Sequence, residues 1–214
     1  MTALHPRLLK GGLVLIAPES GAIKRVVSLQ YNPDSLSRSF QVQATGGDGQ
    51  NRSEALRIKG PPVETIKLEA ELDATDLLEA GDTTAAQLGI HAQLAALETL
   101  IYPTSSQIRS NQSLAASGTL EILPMEAPLT LFVWSSARIV AVRVTELSVT
   151  EEAFDPNLNP IRAKVSIGMR VLSVDDLGFG NRGADVFMSY LQRKEALAAL
   201  TGSSMTRLGL QGIP

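Results

Sequence analysis

Two histidines, His5 and His91, are the whole imidazole supply of this chain, and it has no cysteine. His5 lies close to the N-terminus and His91 in a leucine-rich stretch, so neither has a second histidine at metal-ligand spacing. A Ser–His–Asp arrangement cannot be assembled from that spacing. Without a thiol there is neither a thiolate nucleophile nor a thiolate metal site. The carboxylates Glu151-Glu152 and Asp175-Asp176 are sequence neighbours, and neighbours on an extended chain point to opposite faces. They read as solvated groups rather than as a paired acid and base or a metal site. Gly46, Gly47 and Gly49 lack the lysine and the following helix of a phosphate-binding loop. Phe132 and Trp134 sit on an expected strand and read as a core or subunit contact, not as a ligand-stacking platform. His91 reads as a surface or partly packed side chain. The expectation is a chain without catalytic residues, metal ligands or cofactor.

The elements that would position these groups are mostly strands. Val165, Ile167, Met169 and Val171 alternate with Lys164, Ser166, Gly168 and Arg170, the period of a half-buried strand. Upstream, Val140, Val142 and Val144 alternate in the same way, and then the apolar positions move to Leu147 and Val149. That slip of one residue predicts a bulge or a crossing between sheets. FDPNLNPIRA between the two runs forces a turn. The pair is expected to be long, bent and antiparallel, at the centre of a β-sandwich or barrel.

In chain order, Leu8–Pro18 and Ile23–Tyr31 read as strands joined in a hairpin, and Asn32-Pro33-Asp34-Ser35 ends the second. Ser39–Gly60 is polar and glycine-rich and reads as a long exposed loop or an intersubunit arm. Thr65–Asp73 is the cleanest strand, with Ile66, Leu68, Ala70 and Leu72 on one face and Lys67, Glu69, Glu71 and Asp73 on the other. A helix capped by Asp82 or Thr83 is expected to run through Leu88, Ile90, Leu94, Leu97 and Ile101 to Pro103, lying across an open end or edge of the β domain. Thr104–Ser117 reads as a mobile connection and Leu120–Leu123 as a short strand. Asp175–Gly180 is a break, Ala184–Leu200 a helix, and the last residues a flexible tail. The expected division is a β domain over 1–174 and a C-terminal helix with its tail over 175–214.

Composition sets outer limits. The chain has 214 residues, 44% of them hydrophobic, with no apolar run near the ~20 residues of a membrane-spanning helix. The first residues show no secretory signal. The net charge of -3, with both signs interspersed, offers no basic field for nucleic acid.

Several landmarks stand in a recognisable order. Tyr31-Asn32-Pro33 is followed by Ser35 and Ser37, and Pro61-Pro62 leads into LEAELDA. A leucine-rich helix ends at Pro103, a strand after Pro128 carries Phe132 and Trp134, and Phe154 precedes Asn159-Pro160-Ile161-Arg162-Ala163-Lys164-Val165. From Leu13 to Leu172 the chain resembles the tube and baseplate proteins of contractile injection systems, phage-tail-like particles that include the antifeeding-prophage type. That family commonly has a Gly-Pro-x-Arg-Ala turn after an aromatic; here Asn159 stands where glycine is usual, and asparagine tolerates left-handed backbone. Ser135 follows the tryptophan where the family often has glycine. Longer members carry a LysM module after this domain, and none is read in this chain.

The resemblance implies a mainly β fold flanked by helices (α+β) and a homo-hexameric ring at the start of the tube, between the central spike and the inner tube. Spike, inner-tube and other baseplate subunits would be its partners, without nucleic acid, cofactor or direct membrane insertion. Such a protein would be made in the cytoplasm and then become part of an assembled particle. The candidate assembly and turn residues are Asn32, Pro33, Trp134, Phe154, Asn159, Pro160 and Arg162. Arg162 is read either as structural, through the turn backbone, or as one half of an intersubunit ion pair. A terminal or cap component of the same particle is an alternative. So is a small-molecule-binding β-barrel, which requires a hollow interior, whereas Val165, Ile167, Met169 and Val171 argue for a filled one. A hydrolase would need the histidine and cysteine constellations that are missing.

Overall fold

The computed structural model describes residues 9–17, 19–44, 57–118 and 128–202. Its frame is one seven-stranded sheet in the order β2-β1-β5-β6-β7-β4-β3, antiparallel at every pairing. The strands are β1 (Gly12–Ile16), β2 (Ile23–Ser28), β3 (Leu36–Gln41), β4 (Val63–Asp73), β5 (Leu129–Ser135), β6 (Arg138–Phe154) and β7 (Pro160–Val171). The helices are α1 (Thr75–Glu79), α2 (Thr83–Leu88), α3 (His91–Glu98), α4 (Ser105–Ala116), α5 (Val174–Leu177) and α6 (Arg182–Ala199). The expected α+β class therefore holds. All seven strands belong to one sheet, and it is not closed into a barrel, because the end strands β2 and β3 do not pair with each other.

The expected central pair is β6 with β7. Its register shifts between Val144 and Glu146, so Thr145 is an extra residue on β6. Before the shift Val140 and Val142 are buried, and after it Leu147 and Val149 pack against the same core. The slip in the sequence is thus a bulge that keeps both halves of a 17-residue strand facing inward. On β4, Ile66, Leu68, Ala70 and Leu72 are buried while Lys67, Glu69 and Glu71 are exposed, as the alternation predicts. Val165, Ile167, Met169 and Val171 of β7 join them with Leu13, Phe132, Leu94, Leu97, Phe187 and Tyr190 in one cluster, so the interior is filled with side chains. A smaller cluster of Ile16, Leu129 and Ala141 has Leu177 of α5 packed against it.

The long helix expected from Asp82 to Ile101 is broken. Asp82 does cap α2, its Oδ1 accepting from the backbone of Thr84 and Ala85 at 2.8 Å. Gly89, at φ +55, then ends α2, and α3 starts afresh. Ile90, Leu94 and Leu97 are buried, while Leu88, at the end of α2, and Ile101, past the end of α3, are exposed. α3 lies beside the end strand β2, where Arg25 donates to the Ala96 carbonyl at 3.2 Å and to the Thr99 hydroxyl.

The expected mobile connection over 104–117 is largely helix α4. Thr104 and Gln107 form a reciprocal capping box, which satisfies orphan amides at the N-terminus despite the serine-rich composition. The short helix α1 is an addition to the expected elements. The expected loop over 39–60 is partly strand, since β3 runs to Gln41 and Ala44 bridges to Ile58. The expected strand Leu120–Leu123 and the tail from 203 onward lie outside the described residues, as do residues 45–56.

Candidate assembly surface

The β6–β7 turn is the most specific landmark of the sequence, and its geometry starts at Asp155. One carboxylate oxygen accepts from the backbone of Asn157 at 2.7 Å and of Asn159 at 2.8 Å. The other accepts from the Asn159 side chain at 2.8 Å. These donors hold the Asp155 carboxyl below the ordinary carboxylate range, the Asn159 side chain first among them. The residue with left-handed backbone is Leu158, at φ 65, and not Asn159 as expected. Asn159 serves through its side chain instead, which also donates to the Gln87 carbonyl at 3.0 Å. The Pro160 carbonyl accepts from Ile90 at 2.8 Å. The turn therefore pins the α2–α3 break, and a side chain at Gly89 would overlap the Pro160 carbonyl. Pro160 is buried, while Phe154 opposite it is 49% exposed.

Arg162 points along the sheet to Asp73 at the end of β4. Its Nε and a terminal nitrogen reach Asp73 Oδ2 at 2.9 and 2.8 Å, so the ion pair lies within the chain. Asp73 is held below the usual carboxylate range, first by the Thr75 hydroxyl and backbone and then by Arg162. The Asp73 backbone is gripped too: its N–H donates to Gln30 Oε1 at 2.9 Å, and its carbonyl accepts from Gln30 Nε2 at 2.7 Å. Gln30 thus mimics a short piece of strand across the gap between β2 and β4. Asn32 does the same for β1, accepting from Gly11 N at 3.0 Å and donating to the Leu9 carbonyl at 2.8 Å. Pro33 follows, in a polar cleft of about 320 Å³ that it shares with Glu69, Glu71 and Lys164. Gly11 leaves room for the Trp134 ring, which stacks on buried Phe132 at 6.0 Å between centroids. Among the seven singled-out residues, Asn32 and Trp134 meet at Gly11, and Asn159 and Pro160 meet at the α2–α3 break. Arg162 stands on its own pair.

The adjacent carboxylates are accounted for separately. Asp176 completes a capping box with Ser173 on α5 and pairs with Arg170 at 2.7 Å. Glu152 pairs with Lys164 at 2.8 Å on the outer face of the sheet, and Lys67 reaches Glu146 there at 3.4 Å. His91 is exposed at the start of α3. Among the described residues no group of three or more His, Asp and Glu could hold a metal ion, and no helix is long and apolar enough to cross a membrane.

Two features are not apparent from the sequence. The first is Gln30, for which its neighbourhood in the sequence gives no signal. The second is Glu64, only 4% exposed, with Arg38, Tyr190 and Lys194 around it. Its signal is a carboxylate in phase with Ile66 and Leu68 on the inward side of β4. The end strands also carry exposed apolar side chains, Ile23 and Val26 on β2 and Phe40 on β3, with Val42 and Ile58 just beyond.

An open antiparallel sheet with helices packed on it, its reactive groups dispersed in structural pairs, is the design of an α+β scaffold rather than of a cleft. The model of the contractile injection system tube protein family matches residues 17–175, and the chain belongs to that family. It is thereby a structural component of a phage-tail-like particle. None of the curated proteins matches this chain. Among solved structures it is similar to a chain in the tail of an empty GTA particle, computed with helical refinement and C6 symmetry. That likeness has 11% identity and a TM-score of 0.29, over 76% of this chain and 90% of that one. A chain in the virion of a native gene transfer agent particle is similar at 10% identity and a TM-score of 0.26, over 74% and 90%.

Proposed function

We propose that this chain is a ring subunit at the start of the tube, a tube-initiation or baseplate hub protein of which six copies join the central spike to the inner tube. The observation that carries this reading is one open sheet whose end strands, β2 and β3, do not pair with each other and carry exposed apolar side chains. Exposed edges with apolar side chains invite pairing with another chain. When the two complementary edges lie on different sides of one subunit, the contact is head-to-tail and closes into a ring if the rotation permits. In this reading residues 1–174 form the ring-building domain and 175–214 are an appended helix and tail. Phe154 and Arg162 face neighbouring subunits, while Asn32, Pro33, Trp134, Asn159 and Pro160 hold the shape that presents them. The subunit is made in the cytoplasm and incorporated into the particle. Cryo-EM of the intact particle tests this: six copies, β2 of one beside β3 of the next, are expected between spike and tube. Density for this chain at the far terminus, or copies with both edges facing solvent, would refute it.

A further inference from the structure

A groove of about 290 Å³ runs between the end strand β2 and α3. Its walls are apolar: Val27 of β2 and Leu29 just past it, Leu72 of β4, and Ala92, Ala96 and Leu97 of α3. Leu29, Leu72 and Leu97 are buried in the core, whereas the short side chains of Ala92 and Ala96 leave the space above them unfilled. Arg25 ties β2 to α3 through the Ala96 carbonyl at 3.2 Å, so the two walls are fixed to each other. Arg25 and Val27 lie opposite buried Leu15 and Leu13, which puts them on the inward side of β2.

On β3 the inward residues are Leu36, Arg38 and Phe40, opposite the buried Leu68, Ile66 and Glu64 of β4. Leu36 packs against its own core, and Arg38 is taken by Glu64 at 2.8 and 2.7 Å. Phe40 is left 46% exposed, with the Arg38 guanidinium 4.8 Å and Lys194 Nζ 5.2 Å from its ring centre. When a β3 lies beside a β2 in one continuous sheet, inward side meets inward side. The ring that its own chain leaves half exposed then falls next to the hollow that β2 and α3 leave open.

We infer that this groove is a socket for a second copy of the chain and takes the Phe40 ring of the neighbouring subunit. The inference rests on the reading of this chain as a ring subunit whose β2 lies beside the β3 of the next copy.

The chain has no cysteine, so engineered pairs can be cross-linked without background. The test uses the full chain with Phe40→Cys and Ala92→Cys together, treated with a short bismaleimide in particles purified from producing cells. Val26→Cys with Ser39→Cys, on the outward side of the same two strands, reports on the edges alone, and each single variant is a control. The socket predicts a ladder of linked copies from both pairs. It also predicts that Phe40→Ala lowers incorporation about tenfold or more, the scale of one aromatic ring returned to water, while its unfolding midpoint stays that of the unmodified chain. Phe40→Leu should recover most of the loss. A ladder from the edge pair without one from the Phe40–Ala92 pair would overturn the socket and leave the ring reading standing. Links formed inside single chains, or normal incorporation of Phe40→Ala, would overturn the socket too. Particles that form normally and give no ladder from either pair would refute the ring reading itself.

Discussion

Replacing Gly89 with alanine probes the contact that ties the β6–β7 turn to the helices. Gly89 has φ +55 and ψ -130, a conformation that non-glycine residues hold only at a cost of about 1–3 kcal/mol. The added Cβ would also overlap the Pro160 carbonyl oxygen, which accepts from the backbone of Ile90. Relief requires that carbonyl to move, at the expense of a backbone hydrogen bond of about 0.5–1.5 kcal/mol. Together these predict a loss of about 2–4 kcal/mol. For a chain of this size that lowers the melting temperature by roughly 4–16 °C. Gly81 supplies the control, with φ +74 and nothing within 4 Å of the point where an alanine Cβ would lie. Gly81→Ala should cost only the left-handed strain of about 1–2 kcal/mol. Denaturant unfolding of both variants separates strain from collision. If the two substitutions cost the same, the close approach of Gly89 to Pro160 contributes nothing, and the turn does not pin the helices.

Arg162→Glu should change the unfolding free energy of the isolated chain by less than about 1 kcal/mol, because the pair with Asp73 is half exposed. It should nevertheless impair particle assembly, and normal particles carrying the variant would remove Arg162 from the interface. Phe132→Ala takes the largest fully buried side chain out of the core and should cost about 3–5 kcal/mol in denaturant unfolding; a loss below about 1 kcal/mol would mean that the core is not filled as described. Asp73 and Asp155 have folded pKa values below the ordinary 3.8. Their stabilisation is therefore complete above that value and is lost as the pH falls through the folded values. Urea midpoints measured from pH 5 downward should drop less steeply below pH 4 in Asp155→Asn than in the unmodified chain, and parallel curves would contradict this.

What is legible in the sequence follows from one-sided burial. β4 and β7 can be read because one face of each meets the core and the other carries charge, and the bulge of β6 shows as a phase slip between Val144 and Leu147. The helix break is hidden because Gly89, judged locally, is only a weak helix former. The carbonyl that demands a glycine there comes from Pro160, far along the chain. Likewise residue type alone favours Asn159 for the left-handed position, whereas the Asp155 carboxylate shapes the turn so that Leu158 adopts it. α4 is masked because serine and asparagine outweigh the capping pair Thr104 and Gln107 in composition. Of the candidate site, the turn can be located from Asn159-Pro160, but the partner of Arg162 cannot. Which carboxylate an arginine meets depends on strand register, here Asp73 opposite Arg162.

Thr145, the spare residue between Val144 and Glu146, makes the length of this part of β6 a matter of parity. Deleting Thr145 would leave only Glu146 between Val144 and Leu147, so Leu147 and Val149 would still face the core and the strand would run through this point without its bulge. Deleting Thr145 and Glu146 together would make Val144 and Leu147 neighbours, and Leu147 and Val149 would turn out to water with Ser148 driven inward. Natural variants of this strand should therefore tolerate the loss of one residue there far better than the loss of two.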